Sequence, residues 1–281
     1  MTKIPAKTVL ITGTSSGIGL AAAKRFAAQG WNVVATQRAP QKHSELHDIP
    51  NVLVTRLDVQ DIASMAPAID AGIACFGRID ALVNNSGHGQ YGLLEAVSHE
   101  QILAQFEVNV FGVMELTRAI LPHFRRNKGG TVINVSSGAG MFTLPMISMY
   151  CASKFALEGF SEAISYELAS QNIAVKLVIP HGGVTSTSFN ARTAAGSAND
   201  TTLTDYDDFV ANTAKAFASM VSASNMSSDD VAKVIYGAAT DGSDQLRYLV
   251  GDDARGFVKA RREMTEAGYM AFMRAKFLPA A

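Results

Sequence analysis

The chain has 281 residues, 48% of them hydrophobic and 17% charged, with a net charge of -1. That composition is globular: it excludes an intrinsically disordered chain and gives no electrostatic ground for binding nucleic acid or an anionic membrane. At this length a single domain over residues 1–281 is expected, burying roughly 75% of its unfolded surface. Two cysteines, Cys75 and Cys151, lie far apart with no zinc-site or redox-pair spacing, which suits a reducing compartment. The start, Met1 to Lys7, has no signal-peptide core, and no stretch nears the roughly 18 apolar residues of a membrane span. A soluble, cytoplasmic protein is the expectation.

In chain order, Thr8 to Thr12 is a short β-branched run that ends at Gly13, and an alanine-rich helical pattern follows from Ile18 to Gln29. A second apolar run, Trp31 to Thr36, completes a βαβ unit. The alternation continues with a strand at Val52 to Leu57, a helix from Ile62 to Cys75 and a strand at Ile79 to Asn84. A long helix from Glu100 to Arg126, a strand at Thr131 to Ser136, a helix opening at Met149 and strands at Ala174 to Ile179 and Leu246 to Val250 follow. Strands apolar almost throughout belong to a parallel sheet covered on both faces, so the fold expected is a doubly wound parallel α/β sheet of the Rossmann kind.

Two segments depart from this beat. Gly182 to Ser228 is rich in Ser, Thr, Asn, Asp and Ala and holds one convincing helix, around Tyr206 to Val221. An insertion of that length before the last strand reads as a substrate lid, residues 182–228. Residues 252–281 form a C-terminal extension whose Phe257, Met264, Tyr269, Met270, Phe272, Met273 and Phe277 suit either docking on the domain or a role in the substrate pocket.

Chemistry gathers at two places. Between the first strand and first helix stands Thr12-Gly13-Thr14-Ser15-Ser16-Gly17-Ile18-Gly19, where glycines let the backbone approach a pyrophosphate and the helix N-terminus stabilises it. Gly13, Ser15, Ser16, Gly17, Ile18 and Gly19 are therefore cofactor-binding candidates. At the other, Tyr150 and Lys154 are four apart on one helix and share a face. A cation beside the phenol favours the phenolate and lowers its pKa toward the working range. Taken alone, Tyr-x-x-x-Lys is common by chance.

With that glycine spacing, and Tyr150 and Lys154 downstream, the chain resembles the short-chain dehydrogenase/reductase family, one-domain branch, from about residue 5 to 190. Thr12 to Gly19 matches the family's Thr-Gly-x-x-x-Gly-x-Gly; Leu57-Asp58-Val59 matches the segment whose aspartate contacts adenine; Asn84-Asn85-Ser86-Gly87 resembles its Asn-Asn-Ala-Gly. Asn109 stands where the family keeps a catalytic asparagine, and Ser137 lies 13 residues before Tyr150, at the active-serine position, with Ser136 read as a strand-end residue. The resemblance implies Asn109, Ser137, Tyr150 and Lys154 as the catalytic set, and Asp58, Val59, Asn85, Tyr150, Lys154 and Thr185 as cofactor contacts. Thr185 follows Pro180-His181-Gly182-Gly183, where the family usually reads Pro-Gly, so the alignment there is open by one residue.

At the end of the second strand, where a carboxylate would hold the ribose hydroxyls of NAD, the chain reads Thr36-Gln37-Arg38. Nothing there repels a 2′-phosphate and Arg38 can pair with it, so NADP(H) is favoured over NAD(H). The resemblance implies reversible reduction of a ketone or aldehyde to an alcohol, with Tyr150 as acid or base, Ser137 on the reacting oxygen, Lys154 on Tyr150 and the nicotinamide ribose, and Asn109 positioning a water. No metal is required. His88, Tyr91, Phe142, Met146 and Met149 are pocket-wall candidates, each with an ordinary core or loop role as the alternative. The competing readings are a non-catalytic NADPH-binding regulator, against which the intact Ser, Tyr and Lys weigh, and a sugar-nucleotide epimerase or dehydratase, whose larger C-terminal domain and glycine spacing are lacking. A small, bulky and apolar carbonyl or alcohol and a homo-oligomer of dimeric or tetrameric kind are the expected partners.

Overall fold

The computed structural model describes residues 5–40, 45–180, 183–184, 186–187, 189–222, 226–251 and 253–278. Among them, seven parallel strands form one sheet in the order β3-β2-β1-β4-β5-β6-β7. The strands are β1 (Thr8–Thr12), β2 (Asn32–Gln37), β3 (Val52–Arg56), β4 (Ala81–Asn84), β5 (Gly130–Val135), β6 (Ile173–Pro180) and β7 (Arg247–Val250). Every residue of β1 and β4 is buried, as strands covered on both faces must be. The order reverses between β1 and β4, which pair Leu10 with Leu82, and a doubly wound sheet opens its binding crevice at that reversal, beyond the strands' carboxyl ends.

One face carries α1 (Gly17–Ala28) and α8 (Ser228–Thr240); the other is covered in part by α2 (Met65–Phe76) and α4 (Gly112–Arg126). On the first face Phe26 of α1 stacks edge-on against Trp31 and Tyr236, with ring centroids 5.2 and 5.1 Å away. Such aromatic pairs add to the area they bury. On the second, Leu10, Leu82, Leu116, Ile120 and Phe124 are all fully buried.

Several elements differ from the sequence expectation. The single long helix to Arg126 is α3 (His99–Phe106), a π-helical turn over Glu107–Phe111, and α4. The insertion before β7 holds α6 (Phe189–Ala195) as well as α7 (Asp207–Ser222), and α8 follows it, a helix the polar composition had hidden. Its start is a capping box between Ser227 and Asp230, and Val231, Ala232, Ile235 and Ala238 bury its inner face. The C-terminal extension folds as α9 (Asp253–Glu263) and α10 (Glu266–Phe277), packed with Phe142 and Phe217 in a satellite core. Among the described residues no helix is long and apolar enough to cross a membrane.

Candidate active site

A cleft of about 1230 Å³ runs along the carboxyl ends of the strands, from the glycine loop to Phe217, Met220 and Phe257. Its cofactor end is built on hydrogen bonds that tie three strands together. Thr12 Oγ1 accepts from the backbone N–H groups of Asn85 and Ser86 at 2.9 and 3.0 Å, and Asn85 Nδ2 donates to the Thr12 carbonyl at 2.9 Å. Thr14 donates through its N–H and its hydroxyl to the Thr36 carbonyl, each at 3.1 Å. The loop between these anchors needs glycine: Gly13 and Gly17 have φ of +71° and +57°, a region other residues enter at a cost. A Cβ on Gly19 would lie 2.3 Å from the Gly13 carbonyl oxygen, so that glycine brings α1 close to the loop and stands behind the cleft wall.

Ser15, Ser16, Gly17, Ile18, Gln37, Arg38, Asp58, Val59 and Asn85 line the cleft with Gly13. The glycine cradle fits a pyrophosphate in that no side chain fills it, and Gln37 Nε2 is buried at its edge without a hydrogen-bond partner. Arg38 is exposed at the cleft mouth. Thr185 lies outside the described residues, so the structure gives it no place.

At the reacting end, α5 (Ser148–Ala169) presents Tyr150 and Lys154 to the cleft, and Ser137 reaches it from the end of β5. The Ser137 hydroxyl favours the ionised form of the Tyr150 phenol and accepts from the Ala139 N–H at 3.2 Å. Ser136 also lines the cleft, but its Oγ is buried without a partner while its N–H extends the sheet to the Val178 carbonyl at 2.8 Å. Lys154 is buried; its Nζ donates to the Val135 carbonyl at 3.0 Å and lies 5.8 Å from the Tyr150 ring centroid.

These positions correct the expected electrostatics. Burial pushes the Tyr150 phenol up to about 12, against a lowering by the Ser137 hydrogen bond, and burial brings Lys154 down to about 8, against a raising by Glu158. Without ligands, then, Tyr150 is a firmly protonated phenol. Desolvation of the phenolate outweighs any help from the ammonium, which is aimed at a carbonyl.

Asn109 is likewise placed differently. It is buried in the π-helical turn, off the cleft wall. Its Nδ2 donates to the His88 carbonyl at 2.9 Å and to Ser153 Oγ at 3.1 Å, and its Oδ1 accepts from the His88 N–H at 2.8 Å. Gln105 Nε2 adds a bond to the same His88 carbonyl at 2.8 Å. The side chain of Asn109 thus fixes the loop that carries His88 and Tyr91 into the cleft, with both Nδ2 hydrogens engaged. Wide helical turns of this kind recur at functional sites.

His88, Tyr91 and Phe142 line the cleft; Met146 and Met149 do not. Met146 has φ of +62° and is buried, its carbonyl accepting from the Gly92 N–H at 2.8 Å. Residues the sequence reading passed over close the cleft from above: Phe189, Arg192 and Thr193 of α6, with Thr187 just before it. A Cβ on Gly89 would meet the Phe189 ring at 2.7 Å and Thr193 Oγ1 at 2.5 Å, which shows how tightly α6 covers this loop.

A dinucleotide cradle at the switch point of a parallel sheet, leading to a Ser–Tyr–Lys cluster, defines an oxidoreductase of the Rossmann type. A sequence profile described as short chain dehydrogenase matches residues 7–197, and the chain belongs to the short-chain dehydrogenase/reductase family. It is 37% identical to an uncharacterized oxidoreductase of Schizosaccharomyces pombe over 83% of this chain and 96% of that one. It is 38% identical to retinol dehydrogenase 8 of Bos taurus over 64% of this chain and 60% of the other. Among solved structures, a short-chain dehydrogenase from Streptomyces avermitilis superposes with a TM-score of 0.81 at 29% identity, covering 97% of this chain and 98% of that one.

Proposed function

We propose that the protein is an NADP(H)-dependent oxidoreductase that interconverts a bulky, apolar ketone or aldehyde and the corresponding alcohol. The observation that carries this reading is the placement of Tyr150 and Ser137 together in one cleft that runs from the glycine cradle to an aromatic chamber. When bound, the nicotinamide supplies or accepts the hydride.

The chain's own groups handle the oxygen and its proton. Tyr150, protonated at neutral pH, donates to the carbonyl oxygen as that oxygen gains charge, and Ser137 holds the same oxygen by a hydrogen bond. Lys154 faces the phenolate this leaves, and an ammonium in a dry site stabilises it far more than in water. Asn109 and Gln105 act one step back, by fixing the His88 backbone. Alcohol oxidation runs through the same groups in reverse, with the phenolate form of Tyr150 as base.

Burial lowers the His88 pKa from its ordinary value, and the charges of Arg192 and Arg38 lower it further. The positive charge of Arg38 at the mouth favours a phosphate-rich cofactor and supports NADP(H) over NAD(H). The far end is apolar: Tyr91 and Phe217 rings lie 6.2 Å apart, and Phe142 stacks on Phe257 at 4.8 Å. That chamber, and the likeness to a retinol dehydrogenase, support a substrate with an extended hydrocarbon body. Within the described residues, α6 and α7 act as the lid over this chamber and α9, through Phe257, as part of its back wall. Exposed Leu103, Phe111, Phe155 and Tyr166 on α3, α5 and the turn before α4 support pairing of copies through those helices. The deciding experiment is a panel of aldehydes and ketones of rising apolar bulk, followed by loss of NADPH absorbance. Turnover that rises with bulk is expected; no turnover of any carbonyl or alcohol would leave a cofactor-binding protein without this activity.

A further inference from the structure

Along α5, ionisable side chains recur every fourth residue: Tyr150, Lys154, Glu158, Glu162 and Tyr166. This is one stripe on the helix, leading from the cleft to the surface. Glu158 is 5% exposed, a carboxylate in the interior one turn beyond Lys154. Arg247 of β7 fixes it, Nε donating to Glu158 Oε2 at 2.9 Å while Nη2 donates to Glu162 Oε2 at 2.5 Å. Tyr166 donates to the other Glu162 oxygen at 3.2 Å. Arg247 therefore bonds both carboxylates but supplies a single positive charge to the two, so these three groups keep a net negative charge.

Two further observations place that charge. Glu158 Oε1 is buried and has no hydrogen-bond partner among the described residues. A Cβ on Gly140 would lie 2.9 Å from Glu158 Cγ, 3.0 Å from the Lys154 carbonyl oxygen and 3.1 Å from Ser136 Oγ. A side chain at residue 140 would thus displace Glu158 from its place against the Lys154 turn. An ordinary surface ion pair needs neither a glycine cut-out nor an orphaned oxygen. A buried carboxylate with an unanswered oxygen is costly unless a positive charge faces it.

We propose that Glu158 is a positioning residue for the reaction: clamped by Arg247 and seated against Gly140, its carboxylate keeps Lys154 an ammonium beside Tyr150. The groups involved are Tyr150, Cys151, Lys154, Glu158 and Glu162 on α5, Arg247 on β7, and the Ser136 and Ser137 hydroxyls and Val135 carbonyl at the end of β5. Burial alone drives Lys154 toward the free amine, and Glu158 opposes it. The pH above which the site loses its cation is accordingly set by a residue that touches neither substrate nor cofactor.

The proposal rests on the oxidoreductase reading for its consequence, so its test begins with a measurement that needs no turnover. Lysine side-chain nitrogens are followed by nuclear magnetic resonance in the unliganded protein across pH 5.5 to 10.5, with Lys154→Arg assigning the signal. In Glu158→Gln, which keeps the shape and the acceptor for Arg247, the Lys154 midpoint falls by about one pH unit or more. Glu158→Asp, which retains the charge at a shorter reach, restores part of that fall, and Glu162→Gln moves the midpoint less because its carboxylate is half exposed. A midpoint unchanged in Glu158→Gln overturns the proposal; should that variant not fold, a midpoint unchanged in Gly140→Ala, whose Cβ would displace Glu158, does so. In carbonyl reduction the kcat/KM of Glu158→Gln then stays within a few-fold of the parent at pH 6 and falls about tenfold by pH 8.5. A loss equal at both pH values would make Glu158 a merely structural residue. A shifted midpoint in a protein that reduces no carbonyl would leave the Glu158–Lys154 coupling standing and remove the oxidoreductase reading.

Discussion

The Phe189 ring lies over the Tyr150 ring, centroids 5.7 Å apart and planes inclined by 53°. One residue comes from α6 and the other from the first turn of α5, so the segment before β7 is in direct contact with the proposed acid. If α6 acts as the proposed lid, that contact would exclude water from one side of Tyr150, and a dry site strengthens every charge interaction inside it. Phe189→Ala should open this side. We expect kcat/KM for carbonyl reduction to fall roughly tenfold to a hundredfold. Backbone amides of residues 189–222 should exchange faster in the presence of cofactor and substrate than in the parent. Unchanged kinetics and exchange would reduce α6 to a surface helix.

Tyr150→Phe removes the proton donor and little volume. Turnover should fall by about 10²- to 10⁴-fold while the cofactor still binds with near-parental affinity, measured by fluorescence titration. Ser137→Ala should also cripple turnover. Ser136→Ala should have the smaller effect, because its Oγ is buried with no partner and its structural contribution is a backbone hydrogen bond. A reversal of those two serine results would move the active hydroxyl to Ser136.

Lys154 carries a stability signature of its own. An ordinary lysine titrates near 10.5, and burial lowers this one to about 8. Below pH 8 the folded and unfolded chains both hold the proton, and the folded state bears a poorly hydrated charge. Between 8 and 10.5 the unfolded chain holds more protons, so stability rises with pH through that window, by about 3 kcal/mol from this group. Lys154→Met removes the buried charge. At pH 7 the unliganded variant should melt higher by roughly 3 to 10 °C, with the advantage fading toward pH 10.5, and should bind cofactor less well. Calorimetry at pH 7 and pH 10 checks the sign: a variant less stable than the parent at pH 7 would mean that the ammonium contributes net stability through the Val135 carbonyl.

How far the sequence reached depends on what kind of interaction fixes each feature. The first strand is legible to the residue because Thr8 to Thr12 is an uninterrupted β-branched and apolar run stopped by Gly13. The glycine cradle and the Tyr150 and Lys154 pair could be found because their spacing is itself the local geometry, whereas Ser137 was reached only through the family resemblance. α8 was missed although Ser227 and Asp230 announce it, since a polar insertion just upstream masks the change of period. The π-helical turn has no such announcement: the apolar pattern runs through Glu107–Phe111 unbroken, and the widened turn is set by packing, with Gly112 so close to Val59 that a Cβ would lie 2.5 Å from its carbonyl oxygen. The protonation of Tyr150 was read in the wrong direction because spacing shows which charge is near and says nothing of desolvation, a property of the whole packed site. Met146 was placed on the pocket wall because sequence cannot show a positive φ that turns a side chain inward.

Cofactor choice is the prediction on which the exposed end of the cleft can be tested most directly. Arg38 lies at its mouth, just beyond Gln37 at the end of β2, and neither residue offers the carboxylate that would take the ribose hydroxyls of NAD. A charge-assisted hydrogen bond contributes about 1.5 to 3 kcal/mol, so one good contact to the 2′-phosphate is worth roughly 10- to 150-fold in affinity. Arg38 is exposed, which places the expectation toward the lower end and makes it sensitive to salt. NADPH should bind more tightly than NADH in fluorescence titration, with the gap narrowing at high ionic strength. Arg38→Ala should close most of the gap by weakening NADPH while leaving NADH almost unchanged, since the 2′-hydroxyl makes no use of the guanidinium. Gln37→Asp should act in the opposite sense on the two cofactors: its carboxylate repels the 2′-phosphate and accepts from the ribose hydroxyls, so NADH binding improves as NADPH binding falls. Equal affinities in the parent, or a preference for NADH that Arg38→Ala does not alter, would mean that the guanidinium stays in solvent and that the buried Gln37 amide, whose Nε2 lacks a partner among the described residues, is what meets the ribose.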